Sequence, residues 1–337
     1  MLRCSHGLPK TSINTKTPKT ETDFKDIKGQ EGVKRALEIA AAGGHNILMS
    51  GPPGGGKTVL ARSLPGILPP LAFEEALELT KIYSVAGLLR ENEPFVSQRP
   101  FRSPHHSASS TSVTGGGTSP RPGEVTLAHH GVFFADEFPE FDRRVIESLR
   151  QPLEERTVTV TRVQGSQTFP ASFMLVAAMN PCPCGNHGNP TKDCSCTPGA
   201  ITKYKKKISG PMLDRIDIHI ETPAVTFEKL ESHEEGESSE AVRQRVLKAR
   251  EIQSKRFIGT KIRTNSGMGL NEIKQFIPVG EDIKPILKKA HERYKLSARA
   301  YHRVLKLART IADLAGAEHV EENHILEALQ YRPKDEL

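Results

Sequence analysis

Gly51-Pro52-Pro53-Gly54-Gly55-Gly56-Lys57-Thr58 fits the pattern G-x-x-x-x-G-K-[ST] at every required position. Asn46-Ile47-Leu48-Met49-Ser50 before it reads as a short buried strand. Val59-Leu60-Ala61-Arg62-Ser63-Leu64 after it reads as a helix limited by Pro65-Gly66. A strand that feeds a glycine loop onto a helix N-terminus aims backbone N–H groups and the positive end of the helix dipole at an anion. Lys57 is placed to reach the β- and γ-phosphates of a nucleotide, and the Thr58 hydroxyl to ligate Mg²⁺. A chance glycine-rich turn would not carry both flanks.

Working outward, Val132-Phe133-Phe134-Ala135 is an apolar run that ends in Asp136-Glu137. It predicts a buried parallel strand with two carboxylates at its C-terminal edge, where ligands of open α/β sheets sit. Asp136 would hold the Mg²⁺ shell and Glu137 would polarise an attacking water. Phe173 to Met179 predicts another buried strand, ended by Asn180, whose amide can meet a γ-phosphate or that water. Ser209 to Ile220 predicts a short helix, a turn and a final strand. Arg215 stands just ahead of that strand, either projecting from the domain edge or paired with Asp214 or Asp217.

Composition sets the frame. The chain has 337 residues, net charge +7, no Trp, 36% hydrophobic and 26% charged residues. That suits a soluble protein of about two domains, and the charge permits a nucleic-acid partner without requiring one. No apolar run approaches the ~20 residues needed to span a bilayer, and Met1 to Gly7 has no apolar core of signal-peptide length. The expectation is a cytoplasmic protein with no membrane partner. Cys4 stands alone, whereas Cys182, Cys184, Cys194 and Cys196 form C-x-C…C-x-C within one loop. Four soft ligands suit a closed tetrahedral Zn²⁺ site, with redox pairing as the alternative. No His or other base is placed to make a catalytic thiol.

Residues 1–22 read as a disordered tail or linker. The core reads as 23–227, with a Cys-rich loop at 181–200. A helix carrying Val33, Ala36, Leu37 and Ala40 ends at Gly43-Gly44, and another from Phe73 to Leu79 carries Glu74, Glu75 and Glu78 on its polar side. Residues 91–130 read as one long, functional loop holding His105 and His106. Those two point oppositely on an extended chain, which argues against a shared ion. A helix is expected from Arg143 to Leu153. A hairpin is expected over 157–169, turning at Gln164-Gly165-Ser166 with Arg162 near its tip. Lys203, Lys205, Lys206 and Lys207 form a basic run. Residues 228–240 are acidic and read as a solvated linker. From 241 to 337 the periodicity is helical: Val242, Val246, Ala249 and Ile252, then 283–294, 298–315 and 322–329, a small all-helical domain.

These segments together resemble the AAA+ ATPases of the magnesium-chelatase-like YifB/ComM group. The resemblance rests on Asp26-Ile27-Lys28-Gly29-Gln30, the phosphate loop, Arg99-Pro-Phe-Arg-Ser-Pro-His-His106, Pro120 to His130, Asp136-Glu137, Asn180-Pro-Cys-Pro-Cys-Gly185, Ser209 to Asp217 and Ser297 to Arg303. It implies an α/β fold, an αβα sandwich with a parallel sheet and a helical lid. It also implies ATP and Mg²⁺ as cofactors and a homo-oligomeric, hexameric ring. Ile27 and Gln30 would join Gly51 to Thr58 at the nucleotide. Lys57 and Thr58 would be Walker A, Asp136 and Glu137 Walker B, and Asn180 sensor 1. Arg215 would be the arginine finger offered to a neighbour, and Arg299, or else Arg303, sensor 2. Residues 91–130 match a helix-2 insert and 157–169 a hairpin before sensor 1, both pore-facing in hexameric relatives. A DNA motor is the expected role, with remodelling of a protein complex as the alternative. Members of the group also carry an N-terminal domain like that of Lon proteases, and 1–22 resemble the linker that would follow it.

Overall fold

The computed structural model describes residues 22–89, 94–117, 121–162, 165–189, 192–225, 229, 231 and 236–333. The readings of 1–21 and of Cys4 lie outside them. Among the described residues nine strands follow in chain order: β1 (Ile47–Ser50), β2 (Phe101–Arg102), β3 (Gly115–Gly116), β4 (Arg121–Pro122), β5 (Val132–Ala135), β6 (Thr157–Arg162), β7 (Gly165–Pro170), β8 (Met174–Met179) and β9 (Ile218–Glu221). Five of them make a parallel sheet in the order β2-β5-β8-β1-β9. Ile47 lies opposite Val176 on one side and Ile218 on the other.

The continuous apolar runs follow from burial on both sheet faces. Ile47, Met49, Phe134, Val176 and Ala178 enter one core, while Leu48, Phe133, Ala135, Leu175 and Ala177 enter the other. This strict alternation is the two-residue period of a pleated strand. The second core is closed by α4 (Ser110–Thr114), α5 (Glu124–Leu127), α6 (Arg143–Ser148), α7 (Arg150–Glu155), α8 (Pro198–Lys205) and α9 (Gly210–Leu213). The first is closed by α1 (Glu31–Gly43), which ends on left-handed Gly44, and by α2 (Lys57–Ser63). The fold is the expected αβα sandwich followed by a helical C-terminal region. That region holds α10 (Ser239–Arg256), α11 (Leu270–Phe276), α12 (Lys284–Tyr294), α13 (Ala298–Ala315) and α14 (Glu322–Gln330).

Several boundaries differ from expectation. The stretch 91–130 is not one structureless loop: Phe101–Arg102 is the sheet's edge strand, pairing with Val132 and Phe133. Within it, α4 and α5 are separated by the β3–β4 ribbon, whose tip lies outside the described residues. α3 runs Phe73–Val85, longer than read, and its Glu75 is buried rather than solvated. Arg99 explains this, since it donates to Glu75, to the Pro69 carbonyl and to the His130 carbonyl. Burial would raise the Glu75 pKa, but Arg99, His130, the Ala72 N–H and Arg263 together outweigh it and hold the carboxyl down at about 2. The expected 143–153 helix is broken into α6 and α7. The β6–β7 hairpin is present, but Gly165 and Ser166 belong to β7, with Gly165 opposite Arg162, rather than to a turn; 163 and 164 lie outside the described residues.

Residues 228, 230 and 232–235 of the acidic stretch 228–240 lie outside the described residues. Its end does not read as a solvated linker. Ser238 caps α10, the Ser239 hydroxyl accepts from Phe24 N at 2.9 Å, and Ser239 N donates to Asp23 at 2.8 Å. The C-terminal helices also share the first core. Val242, Val246 and Leu305 pack with Val33 and Leu37, and Gln253 donates to the Ala42 carbonyl. Among the described residues no helix is long and apolar enough to cross a membrane.

Candidate nucleotide site

The loop Gly51–Gly56 leaves the C-terminal end of β1 and delivers Lys57 and Thr58 to the first turn of α2. Gly51 is required sterically, because a Cβ there would lie 2.1 Å from the Thr222 carbonyl oxygen. Gly54 and Gly56 take φ of +79° and +80°, the left-handed region open to glycine. Lys57 Nζ donates to the Gly51 and Pro52 carbonyls at 2.6 and 2.9 Å and to Asn180 Oδ1 at 3.2 Å. Burial lowers its pKa, while Asp136 opposes that shift. The Thr58 hydroxyl donates to Asp136 Oδ2 at 2.7 Å. A hydroxyl and a carboxylate converging on one point are the hard oxygen donors that Mg²⁺ takes.

Glu137 follows Asp136 with φ 51° and ψ 43°, a left-handed conformation uncommon for a residue with a side chain. Backbone strain of this kind clusters at functional sites. Its carboxylate lies 3.1 Å from His106 Nδ1, a neighbour that the sequence did not point to. His105 and His106 also correct their own reading. They sit at a turn rather than on an extended chain, and their rings stack with centroids 4.1 Å apart. Gln30, itself at φ 64°, donates to the Gly55 and Pro223 carbonyls at 3.1 and 2.6 Å. Its buried Oε1 finds no partner among the described residues. Ile27 is placed in the core, its carbonyl taken by Lys34.

The arginines are elsewhere. Asn46, just before β1, donates to the Arg215 carbonyl at 2.9 Å, so Arg215 stands at the N-terminal edge of the sheet. The phosphate loop leaves the opposite edge, and a four-residue strand separates the two by roughly 13 Å. Arg215 pairs with Glu154 of α7, not with Asp214 or Asp217. Arg299 reaches the same Glu154 at 3.4 Å, and Arg303 donates to the Leu213 and Ile216 carbonyls and to Asp214. Arg299 and Arg303 are therefore grouped with Arg215 and are not brought to the chain's own Lys57.

Two other clusters contain metal-ligating side chains. The sulfurs of Cys182, Cys184 and Cys194 lie 3.4 to 3.7 Å apart, and Cys196 completes a set within 4.8 Å. Backbone N–H groups of Asn186 and Ser195 hold the Cys184 thiol down. The Cys196 N–H pulls Cys194 the same way, but burial and the neighbouring sulfurs push it up. Four thiolates this close would need a cation between them to offset their charge. Glu78, His129 and His130 form the second cluster. There Ser172 N donates to His129 Nδ1 at 3.0 Å, which leaves the proton on Nε2, facing Glu78 at 3.3 Å. That nitrogen has no lone pair for a metal, so this cluster is a half-buried hydrogen-bond tie.

A parallel sheet with a phosphate loop after β1, an acid pair after β5 and an amide after β8 defines an AAA+ P-loop protein. Residues 23–230 match the family magnesium chelatase, subunit ChlI, and residues 236–332 match its C-terminal family. The chain belongs to this family of ATPases. It is 45% identical over 323 residues to the uncharacterized protein YifB of Salmonella typhimurium, covering 95% of this chain and 62% of that one. It is 46% identical over 317 residues to competence protein ComM of Haemophilus influenzae, covering 93% and 60%. It is 41% identical over 335 residues to the uncharacterized protein Rv2897c of Mycobacterium tuberculosis, covering 98% and 66%. The chain thus spans less than two thirds of the length of these relatives.

Proposed function

We propose that this chain binds Mg·ATP at Gly51–Thr58 and hydrolyses it in a homo-oligomeric ring, a hexamer, with each neighbour completing the site. The observation that carries this reading is the division of charges. Lys57, Thr58, Asp136, Glu137 and Asn180 converge at one sheet edge, while Arg215 and Arg299 share Glu154 at the other. Mg²⁺ between Thr58 and Asp136 would neutralise phosphate charge. Asn180 would orient the γ-phosphate or the attacking water, and Glu137 would accept the proton of that water. Four cysteines holding a structural Zn²⁺ complete the cofactor set.

His106 joins this machinery by positioning the Glu137 carboxylate. A hydrogen bond to a charged group contributes about 1.5–3 kcal/mol, so His106→Ala should slow turnover about tenfold. Affinity for Mg·ADP should stay unchanged, because His106 contacts no part of the phosphate loop. Stopped-flow binding and steady-state kinetics separate the two quantities. Unchanged kcat would reduce the pair to packing.

Hydrolysis drives movement of DNA in this reading. Supporting it, Arg143, Lys203, Lys206 and Lys207 line one open groove against a single acid, Glu140. The side chain of Arg162 lies outside what is described. Duplex or branched DNA should stimulate ATP hydrolysis. With about four phosphate contacts, log K should fall against log salt with a slope of about −3 to −4. Lys203→Glu with Lys206→Glu should remove the stimulation and leave the basal rate intact. A DNA-blind ATPase would instead favour remodelling of a protein complex, the reading suggested by the 28% identity over 183 residues to the magnesium-chelatase 67 kDa subunit of Heliobacterium mobile.

A further inference from the structure

The cysteine cluster is built into the wall of the nucleotide site. β8 ends at Met179, whose carbonyl accepts from Gly51 N at 3.2 Å. Asn180 follows, with its Oδ1 on Lys57. Two residues later comes Cys182, fully buried. The chain then turns, Gly185 N donating to the Cys182 carbonyl at 3.0 Å and His187 N to Cys182 Sγ at 3.3 Å. At the turn Gly185 has φ +80°, and a Cβ there would lie 2.6 Å from Pro53 Cδ and 3.9 Å from Asn180 Cγ. The backbone of the cysteine turn therefore rests directly on the phosphate loop and on the amide beside Lys57.

The sulfur spacing fits a tetrahedral thiolate site of the kind that holds Zn²⁺. Zn–S bonds of about 2.3 Å in a tetrahedron place sulfurs about 3.8 Å apart. The observed separations of 3.4 to 3.7 Å among Cys182, Cys184 and Cys194 are close to that edge. They are far longer than a disulfide bond of about 2.05 Å. The backbone N–H donors to sulfur further support bound thiolates.

We propose that Zn²⁺ on Cys182, Cys184, Cys194 and Cys196 is energetically linked to the nucleotide site through the Gly185–Pro53 contact and the Asn180 amide. Zinc occupancy then sets how well the phosphate loop is formed. The proposal rests on the reading of Gly51–Thr58 as a nucleotide site. Linkage is reciprocal: if zinc tightens nucleotide binding by some factor, nucleotide tightens zinc binding by the same factor.

The test is a competition titration of the full chain. Zinc is withdrawn by a chromophoric chelator with and without saturating Mg·ADP. Bound metal is counted by elemental analysis, and Mg·ADP binding is followed separately with a fluorescent analogue. The expected results are one zinc per chain and a zinc affinity at least about fivefold tighter with Mg·ADP, the low end of ordinary coupling. Pro53→Ala removes the contact from the loop side and changes nothing in the cysteine turn, so it should retain zinc, lose that tightening and bind Mg·ADP several-fold more weakly. This variant is informative even where cysteine replacements fail to fold. Zinc that cannot be loaded overturns the proposal. So does an equal zinc affinity with and without Mg·ADP in a chain that binds the fluorescent analogue. A chain that holds zinc but binds no nucleotide overturns the nucleotide reading, and the linkage with it.

Discussion

Replacing Lys57 with alanine is expected to weaken binding of Mg·ADP and Mg·ATP by about 10²–10⁴. Removing one partner of a buried charged pair costs about 3–5 kcal/mol, which corresponds to that factor. The ammonium is nearly buried and anchored to three oxygens, those of Gly51, Pro52 and Asn180. Burial already strains its charge, lowering its pKa, so an incoming phosphate gains a poorly solvated cation at short range. In the variant the loop glycines still present their N–H groups, but the phosphates meet no compensating charge. Titration with a fluorescent nucleotide reads the loss directly. Thermal unfolding without nucleotide should shift little, since the carbonyls released by Lys57 can be hydrated. Stabilisation by Mg·ADP should vanish from the variant, because ligand stabilisation depends on the ratio of concentration to Kd. A variant that binds within about threefold of the parent would remove Lys57 from the site.

What was legible in the sequence was whatever a local pattern encodes. The phosphate loop needs its glycines, lysine and hydroxyl within eight consecutive residues. Asp136-Glu137 and Asn180 each end an apolar run whose strand character is evident. Pairings across distance were not legible. Glu154 meets Arg215 over a separation of 61 residues. Nothing around Glu154 distinguishes it from any other acid on a helix. His106 approaches Glu137 only because the chain turns after Phe101–Arg102, and a strand of two residues is too short to show alternation. Polar composition misled the reading of 91–130. Arg99 and Arg102 look like exposed cations, yet Arg99 is spent on Glu75 and Arg102 forms a two-pronged pair with Glu124. The acidic stretch before α10 misled likewise, because Ser239 buries its hydroxyl on the backbone of Phe24.

Arg215→Ala is expected to leave nucleotide affinity within about twofold of the parent and to lower turnover by about 10³–10⁵, the scale of an arginine supplied to a transferring phosphoryl group. The separation of these effects follows from placement. Arg215 stands at the sheet edge opposite the phosphate loop, so it cannot touch its own nucleotide. In the single chain it lies against Glu154, which also meets Arg299. A carboxylate between two arginines fixes both guanidinium groups on one face, and that face must meet the Lys57 side of a neighbour for either to act. Mixing makes the argument decisive. The Arg215→Ala chain keeps its phosphate loop, and the Lys57→Ala chain keeps its arginine. Neither should hydrolyse ATP alone. In mixed rings, an intact phosphate loop facing an intact Arg215 should recover activity, with a maximum at intermediate ratios. Recovery would require both the ring and the composite site. Two variants that stay inactive at every ratio, while still co-assembling by light scattering, would confine Arg215 to its tie with Glu154.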